Sequence, residues 1–227
     1  MEIFVEMIEQ HLVIIAAVGL VVLLGGIIAL STYLERRRRD MLWQMAEGMG
    51  FTFSPEGDQA LVQELGGFHL FSRGRHRKTR NLLRGRTREG PVSIFDYSYV
   101  TGSGKSQHTE RQTVACFELD VSLPRFSLAP ERAWHKIGAW LGHEDIDFDD
   151  YPFFSEQYLL KGDDEEAVRM LFSGDVLEYF EANQGLCVEG GGRWMLFCQG
   201  SRRVKPEEVE WFMEQGLDVV AHFRPRR

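Results

Sequence analysis

Cysteine is scarce in this sequence, and its placement excludes two common uses of the residue. The 227 residues contain three cysteines, Cys116, Cys187 and Cys198, and no two of them form a C-x-x-C pair. An odd number without that spacing is untypical of a disulfide framework or of a zinc site. The pattern favours free, buried thiols in a reducing compartment.

Charged and polar side chains are absent from residues 12–30, which are thirteen Leu, Ile or Val, three Ala and three Gly. A helix that rises about 1.5 Å per residue would span roughly 28 Å here, close to the hydrocarbon thickness of a bilayer. A cleaved signal peptide would have a basic leader and a shorter apolar stretch, and a surface helix of a soluble domain would carry a polar face. The sequence therefore predicts a transmembrane helix over residues 12–34 that contacts the lipid bilayer.

Lysine and arginine are absent before this run, whereas a cluster of arginines follows it directly: Arg36, Arg37, Arg38 and Arg39. Basic residues flanking a span are retained on the cytoplasmic side. The pattern predicts a single-pass protein of the inner cell membrane, with residues 1–11 as a short extracytoplasmic N-terminus. Residues 35–50 are predicted to form a basic juxtamembrane helix, and residues 51–227 a cytoplasmic domain.

Net positive charge is absent from that domain. The formal charge of the chain is −8, and residues 1–39 contribute four acids and four bases, so the deficit belongs to residues 40–227. An acidic surface repels the phosphate backbone before base contacts can form. We therefore expect no nucleic acid partner.

Internal repeats and long linkers are also absent, so residues 51–227 are predicted to form one α+β domain with an antiparallel sheet and several amphipathic helices. Residues 91–100 alternate with period two, with Phe95, Tyr97 and Tyr99 on one side, and residues 112–121 alternate similarly. Further strands are predicted at residues 68–71, 81–86, 126–128 and 158–160, with a hairpin over residues 186–198 that turns at the three glycines 190–192. Helices are predicted near residues 59–65, 130–142, 163–172, 176–180 and 205–213.

A complete phosphate-binding loop is absent, although residues 101–106 read T-G-S-G-K-S. The motif G-x-x-x-x-G-K-[ST] needs a glycine where Tyr99 stands, and it needs a helix after the loop. Here a polar stretch and then a strand follow. The segment is predicted to be a hairpin connection, and no cofactor is expected.

Catalytic and metal signatures are absent as well. There is no G-x-S-x-G elbow, and the acids around residues 143–150 match neither zinc spacing nor the twelve-residue calcium loop. No catalytic, cofactor-binding or metal-binding residue is assigned. The favoured function is a non-enzymatic, membrane-tethered interaction domain. The alternative is a membrane-bound enzyme whose site assembles from distant residues such as Asp96, His108 and Cys116.

The most unusual feature that is present is a basic segment within the acidic domain. Its members are Arg73, Arg75, Arg77, Lys78, Arg80, Arg84, Arg86 and Arg88. One interpretation is that it pairs internally with the ten acids of residues 144–166. The other is that three or four of its side chains share one strand face and bind anionic lipid headgroups. A protein partner or a second copy of the chain remains a further alternative.

Five short segments carry a resemblance. They are N-L-L at residues 81–83, F-D-Y at 95–97, G-S-G-K at 102–105, Q-T-V at 112–114 and L-P at 123–124. In this order, behind an anchor and an arginine cluster, the sequence resembles a group of uncharacterised bacterial membrane-anchored proteins. The resemblance covers residues 68–131 well and the rest loosely. It implies a bacterial cell membrane and no particular activity.

Overall fold

The computed structural model describes residues 2–131 and 145–224, and the chain divides into two compact units, Met1–Met41 and Leu42–Arg227. The first helix, α1 (Glu2–Gly48), contains the predicted span. Over Ala17–Gly48 it is long and apolar enough to cross a membrane, and its apolar window buries none of its residues. Exposed Val, Leu and Ile side chains, such as Val21 and Ile28, suit lipid rather than water. The chain is therefore a membrane protein with one N-terminal apolar helix.

The second unit begins inside α1. Leu42 and Ala46 are 2% and 0% exposed and belong to the core of this unit. Residues four apart lie on the same side of a helix, so these two side chains pack together into the core. The folded unit thus starts earlier than the expected boundary at residue 51.

Among the described residues, the second unit contains six further helices and six strands. The helices are α2 (Gln59–Glu64), α3 (His69–Ser72), α4 (Pro152–Gln157), α5 (Glu165–Leu171), α6 (Gly174–Ala182) and α7 (Val209–His222). The strands are β1 (Thr52–Ser54), β2 (Arg75–Thr87), β3 (Gly90–Thr101), β4 (His108–Pro130), β5 (Tyr158–Gly162) and β6 (Cys187–Cys198).

All six strands join one antiparallel sheet in the order β1-β2-β3-β4-β5, and β6 also pairs with β4. The long strand β4 organises the sheet, because it pairs with β3 through its first half, with β5 through its last residues and with β6 along most of its length. The predicted α+β class, with an antiparallel sheet and several helices behind an apolar N-terminal helix, is confirmed.

The sheet is covered on both sides. We call the side that carries Val92 and Ile94 the first face, and it packs against a large core built mainly from α4, α5, α6 and α7. The second face carries Phe95, Tyr97 and Tyr99 and packs against α2 and α3. The alternation predicted for residues 91–100 is confirmed, because opposite sides of β3 face different cores.

Two predicted strands take other forms. Residues 68–71 were expected to be a strand, but His69–Ser72 is a helical turn in which the N–H groups of Phe71 and Ser72 donate to the carbonyl of Phe68, each at 3.1 Å. Leu70 and Phe71 are both buried in the core below the second face, which a strand of period two would not allow. Residues 126–128 are not a separate edge strand, because they continue β4 between β5 and β6.

The predicted hairpin over residues 186–198 is wrong, since β6 is one continuous strand that pairs with β4 and bends with it. Gly190 lies against the ring of Phe126 so closely that a Cβ would overlap it. Gly192 has a φ of 57°, a conformation that favours glycine, and the register slips on both sides of it. The glycines therefore permit a bent strand rather than a turn.

The predicted helices outside residues 132–144 are confirmed. Helix α5 begins directly after its N-cap residue, Asp164. The Asp164 carboxylate accepts a hydrogen bond from the N–H of Ala167 at 3.0 Å and so stabilises the first turn. In α7, Val209, Phe212 and Met213 are buried at helical spacing. The helix predicted to follow Pro130 lies outside the described residues.

Candidate functional site

The basic segment does not present one strand face, because a bulge divides it. Asn81 has a φ of 51°, and the register of β2 against β3 shifts between Arg80 and Leu83. A bulge inserts one extra residue and so exchanges the sides on which later residues lie. Arg84 and Arg86, after the bulge, therefore lie on the opposite side of the sheet from Lys78 and Arg80.

Two arginines of the segment serve local structure. The guanidinium of Arg77 donates to the carbonyls of Ser72 at 2.6 Å, Arg73 at 3.1 Å and Gly74 at 3.1 Å, and so ends α3. The guanidinium of Arg73 lies 5.1 Å from the centre of the Tyr99 ring, on the second face. Both side chains are engaged at the end of α3.

Two more arginines form ion pairs, but not with the acidic stretch that the sequence suggested. Arg84 binds Asp58 at 2.5 Å, and this hydrogen bond lowers the pKa of the Asp58 carboxyl. Arg88 binds Glu214 at 2.8 Å, which raises the pKa of the Arg88 guanidinium. For these two arginines, the internal pairing is thus with the N-cap residue of α2 and with α7 rather than with residues 145–166.

Three of the remaining cations, Arg75, Lys78 and Arg80, lie on the same side of the sheet as an arginine that the sequence did not single out, Arg111. Lys78 lies opposite Ser98 in β3, and Ser98 lies opposite Arg111 in β4. Directly opposed residues of antiparallel strands project to the same side, here the first face. Arg80 shares that side because it is two residues from Lys78, and Arg75 shares it through its partner Val100.

We call Arg75, Lys78, Arg80 and Arg111 the basic face, and all four are exposed. Arg75 donates to the Gly102 carbonyl at 2.7 Å and to the Gln107 side chain at 2.9 Å, and neither partner carries charge. Lys78, Arg80 and Arg111 form no ion pair with any described residue. The small side chain of Ser98 stands between Lys78 and Arg111, so an anion could contact both.

A buried polar network lies directly beside the basic face. The Asn81 side-chain amide donates to Asp96 at 2.9 Å, and the Thr113 hydroxyl donates to the other carboxylate oxygen at 3.0 Å. Thr113 in turn accepts from the N–H of Val204 at 3.0 Å. The three side chains are 3–8% exposed and belong to the N-L-L, F-D-Y and Q-T-V segments. Those segments therefore meet to join β2, β3 and β4 to the loop after β6.

The glycine-rich segment forms a hairpin connection, as predicted. β3 and β4 remain paired up to Thr101 opposite His108, and a single 3-10 turn, Gly104–Ser106, lies between them. A strand follows instead of a helix, so no helix N-terminus is available for a phosphate. The sequence similarity to a phosphate-binding loop has no structural counterpart.

The alternative enzymatic site is not assembled. Cys116 is completely buried on the second face, and this burial raises the pKa of its thiol. Asp96 projects to the first face, within the polar network. His108 lies eight residues from Cys116 along β4, about 26 Å in an extended strand, and bonds Glu110 at 2.8 Å. The structure does not bring these three residues together.

A small cavity of about 40 Å³ opens beside α3 and the bend of β6, and the sequence gave no indication of it. It is large enough for a water molecule or a similarly small molecule, but not for a metabolite. Its polar lining consists of His69, Arg73, Gln112, Ser127, Cys187, Glu189, Cys198 and Ser201. These residues come from five separate stretches of chain, which explains why no sequence motif marks them.

Glu189 and His69 have unusual acidities in this cavity. The Glu189 carboxylate accepts from the N–H of Leu70 at 3.0 Å and lies 4.0 Å from the His69 ring. Burial raises the pKa of Glu189 to about 7, and burial together with the charge of Arg73 lowers the pKa of His69 to about 4. No group of three or more His, Cys, Asp or Glu suited to a metal ion occurs within residues 2–131 and 145–224.

Comparison with known proteins gives one informative similarity. No protein-family model matches the chain, and no curated protein matches it. Among solved structures, it is similar to the crystal structure of the mycobacterial trehalose monomycolate transport factor A, TtfA, with a TM-score of 0.56. The similarity covers 84% of this chain and 97% of that chain at 12% sequence identity. The two chains share a fold. At this identity the similarity concerns the fold and not the function.

Proposed function

We propose that this chain is a non-enzymatic accessory protein, held by residues 12–34 in a bacterial inner membrane with its folded unit in the cytoplasm. The arginines at 36–39 support this orientation through the positive-inside rule. The resemblance to bacterial membrane-anchored proteins supports the compartment. The shared fold with a protein named as a transport factor supports an accessory role in a membrane process.

We further propose that the basic face docks the folded unit on anionic lipid headgroups. The observation that carries this proposal is the row formed by Lys78, Ser98 and Arg111, with Arg80 beside it, on a domain that is otherwise acidic. None of the four cations of the basic face forms an ion pair with an acid among the described residues. Their charge is therefore available to an external anion.

The tether between the apolar run and the folded unit is short. Leu42, the first residue of the folded unit, lies twelve positions after Leu30, so even a fully extended chain would reach at most about 40 Å. Each cation close to an anionic surface contributes about 1 kcal/mol, and the attraction decays over a Debye length of about 8 Å at physiological salt. Docking thus requires contact of the basic face with the headgroups.

Vesicle flotation tests the docking proposal. A soluble fragment that starts at Asp40, shown first to unfold cooperatively, is mixed with vesicles containing phosphatidylglycerol at low and high salt. We expect binding that weakens as salt increases. The double variant Lys78→Gln with Arg111→Gln should bind about thirty-fold more weakly, since two cations contribute about 2 kcal/mol together.

The matched control is Arg84→Gln with Arg86→Gln, which removes the same charge from the other side of β2. Its binding should stay near that of the unmodified fragment, because the exposed pair of Arg84 with Asp58 contributes little to stability. Equal losses in both double variants would contradict a defined basic face. The absence of binding at low salt would exclude lipid docking and favour a protein partner.

A further inference from the structure

Two of the three cysteines are brought together by the bend of β6. Cys187 and Cys198 are the first and last residues of this strand, and twelve residues in an extended strand would separate its ends by more than 30 Å. The two side chains instead line the same small cavity, and each thiol shifts the pKa of the other. Their separation along the chain hides this proximity.

We propose that Cys187 and Cys198 form a reversible dithiol–disulfide site that is oxidised by hydrogen peroxide. In the first step the Cys187 thiolate attacks one peroxide oxygen, the O–O bond breaks, and Cys187 becomes a sulfenic acid while hydroxide leaves and takes up a proton to become water. In the second step the Cys198 sulfur attacks the Cys187 sulfur, the S–O bond breaks, and a second water leaves. Two thiols and one peroxide thus yield one disulfide and two waters.

The surroundings of the two thiols assign their roles. Cys187 is half-buried and accessible from the cavity, whereas Cys198 is 8% exposed. The interaction with the Cys198 thiol lowers the pKa of the Cys187 thiol, and the same interaction raises the pKa of the Cys198 thiol. Cys187 is therefore the thiol that ionises and attacks first, and Cys198 is the thiol that closes the disulfide.

The size of the cavity suits a small oxidant. A volume of about 40 Å³ admits a molecule close to water in size, such as hydrogen peroxide. Ser201, which lines the cavity, is exposed and marks its opening to solvent. In a reducing cytoplasm such a pair is kept as thiols and forms a disulfide transiently.

Counting thiols in the full-length chain tests this site. Membranes containing the protein are treated with hydrogen peroxide, quenched and denatured, and the remaining thiols are labelled with a maleimide and counted by mass. We expect three labels before treatment and one afterwards, because Cys116 is completely buried and stays reduced. Dithiothreitol should restore all three labels.

Single variants separate this chemistry from general oxidation. In Cys198→Ser, peroxide should leave a Cys187 sulfenic acid that reacts with dimedone. In Cys187→Ser, the Cys198 thiol should remain and two labels should be counted. Three labels after treatment of the unmodified chain would overturn the proposal. So would loss of the Cys198 label in the Cys187→Ser variant, or a disulfide that links two chains instead of closing within one.

Discussion

Replacing Asp96 by alanine is expected to lower the free energy of unfolding by about 2–6 kcal/mol. The carboxylate of Asp96 accepts from Asn81 and from Thr113, and all three side chains are buried. Its removal leaves two buried donors without an acceptor, each of which costs about 1–3 kcal/mol. Because Thr113 also receives the N–H of Val204, the loop after β6 should loosen as well.

Urea unfolding of the soluble fragment that starts at Asp40 measures this loss. The control is Asp120→Ala, which removes an exposed carboxylate that pairs with Arg224 at 2.9 Å. An exposed ion pair contributes about 1 kcal/mol or less, so the control should change stability little. Equal losses in the two variants would mean that the network of Asn81, Asp96 and Thr113 does not hold the sheet together.

Glu189→Gln is expected to make the protein more stable at neutral and alkaline pH, by about 3 kcal/mol at pH 8. The pKa of Glu189 is raised to about 7 by burial, so the folded state favours the protonated carboxyl. A raised pKa in the folded state contributes stability that is complete below the unfolded pKa of about 4.3 and is lost as pH rises through 7. Glutamine keeps an oxygen that accepts from Leu70 and never ionises, so it avoids this loss.

The pH range of the measurement also covers His69, whose effect has the opposite sign. The pKa of His69 is lowered to about 4, so its contribution is present above the unfolded pKa of about 6.5 and is lost as pH falls through 4. Subtracting the unmodified protein from Glu189→Gln cancels the part of this contribution that does not depend on Glu189, which lies 4.0 Å from the His69 ring. The difference in unfolding free energy should be near zero at pH 4.5 and should grow up to pH 8. A difference that does not change with pH would contradict a buried, neutral Glu189.

Features with a local physical cause could be predicted from the sequence. The apolar run of residues 12–30, the alternation of Phe95, Tyr97 and Tyr99, and the helix near residues 163–172 each depend on neighbours along the chain. The hairpin connection at residues 101–106 could be predicted because the segment lacks both the glycine spacing and the following helix of a phosphate-binding loop. Each of these needs only the period of a helix or strand, or the chemistry of its end.

Features that depend on register and bending could not be predicted in this way. The bulge at Asn81 moves Arg84 and Arg86 to the other side of the sheet, and strand pairing alone brings Arg111 to Lys78. The one local signal was Asn81 itself, since asparagine adopts positive φ more readily than most residues.

The bend of β6 was interpreted as a turn because three consecutive glycines suit both structures. The difference lies in the pairing of β6 with β4 and in the ring of Phe126 packed on Gly190, which are both long-range contacts. The cavity that Cys187 and Cys198 both line follows from that bend and was hidden for the same reason.

The side of the membrane on which the folded unit lies is the central claim, and reporter fusions test it most directly. Two reporters are fused after Arg227 of the full-length chain, one active only in the cytoplasm and one active only after export. The basic residues Arg36, Arg37, Arg38 and Arg39 predict that the cytoplasmic reporter is active and the exported reporter is silent. Activity of the exported reporter alone would place the basic face and the cysteine pair outside the cytoplasm and contradict the account.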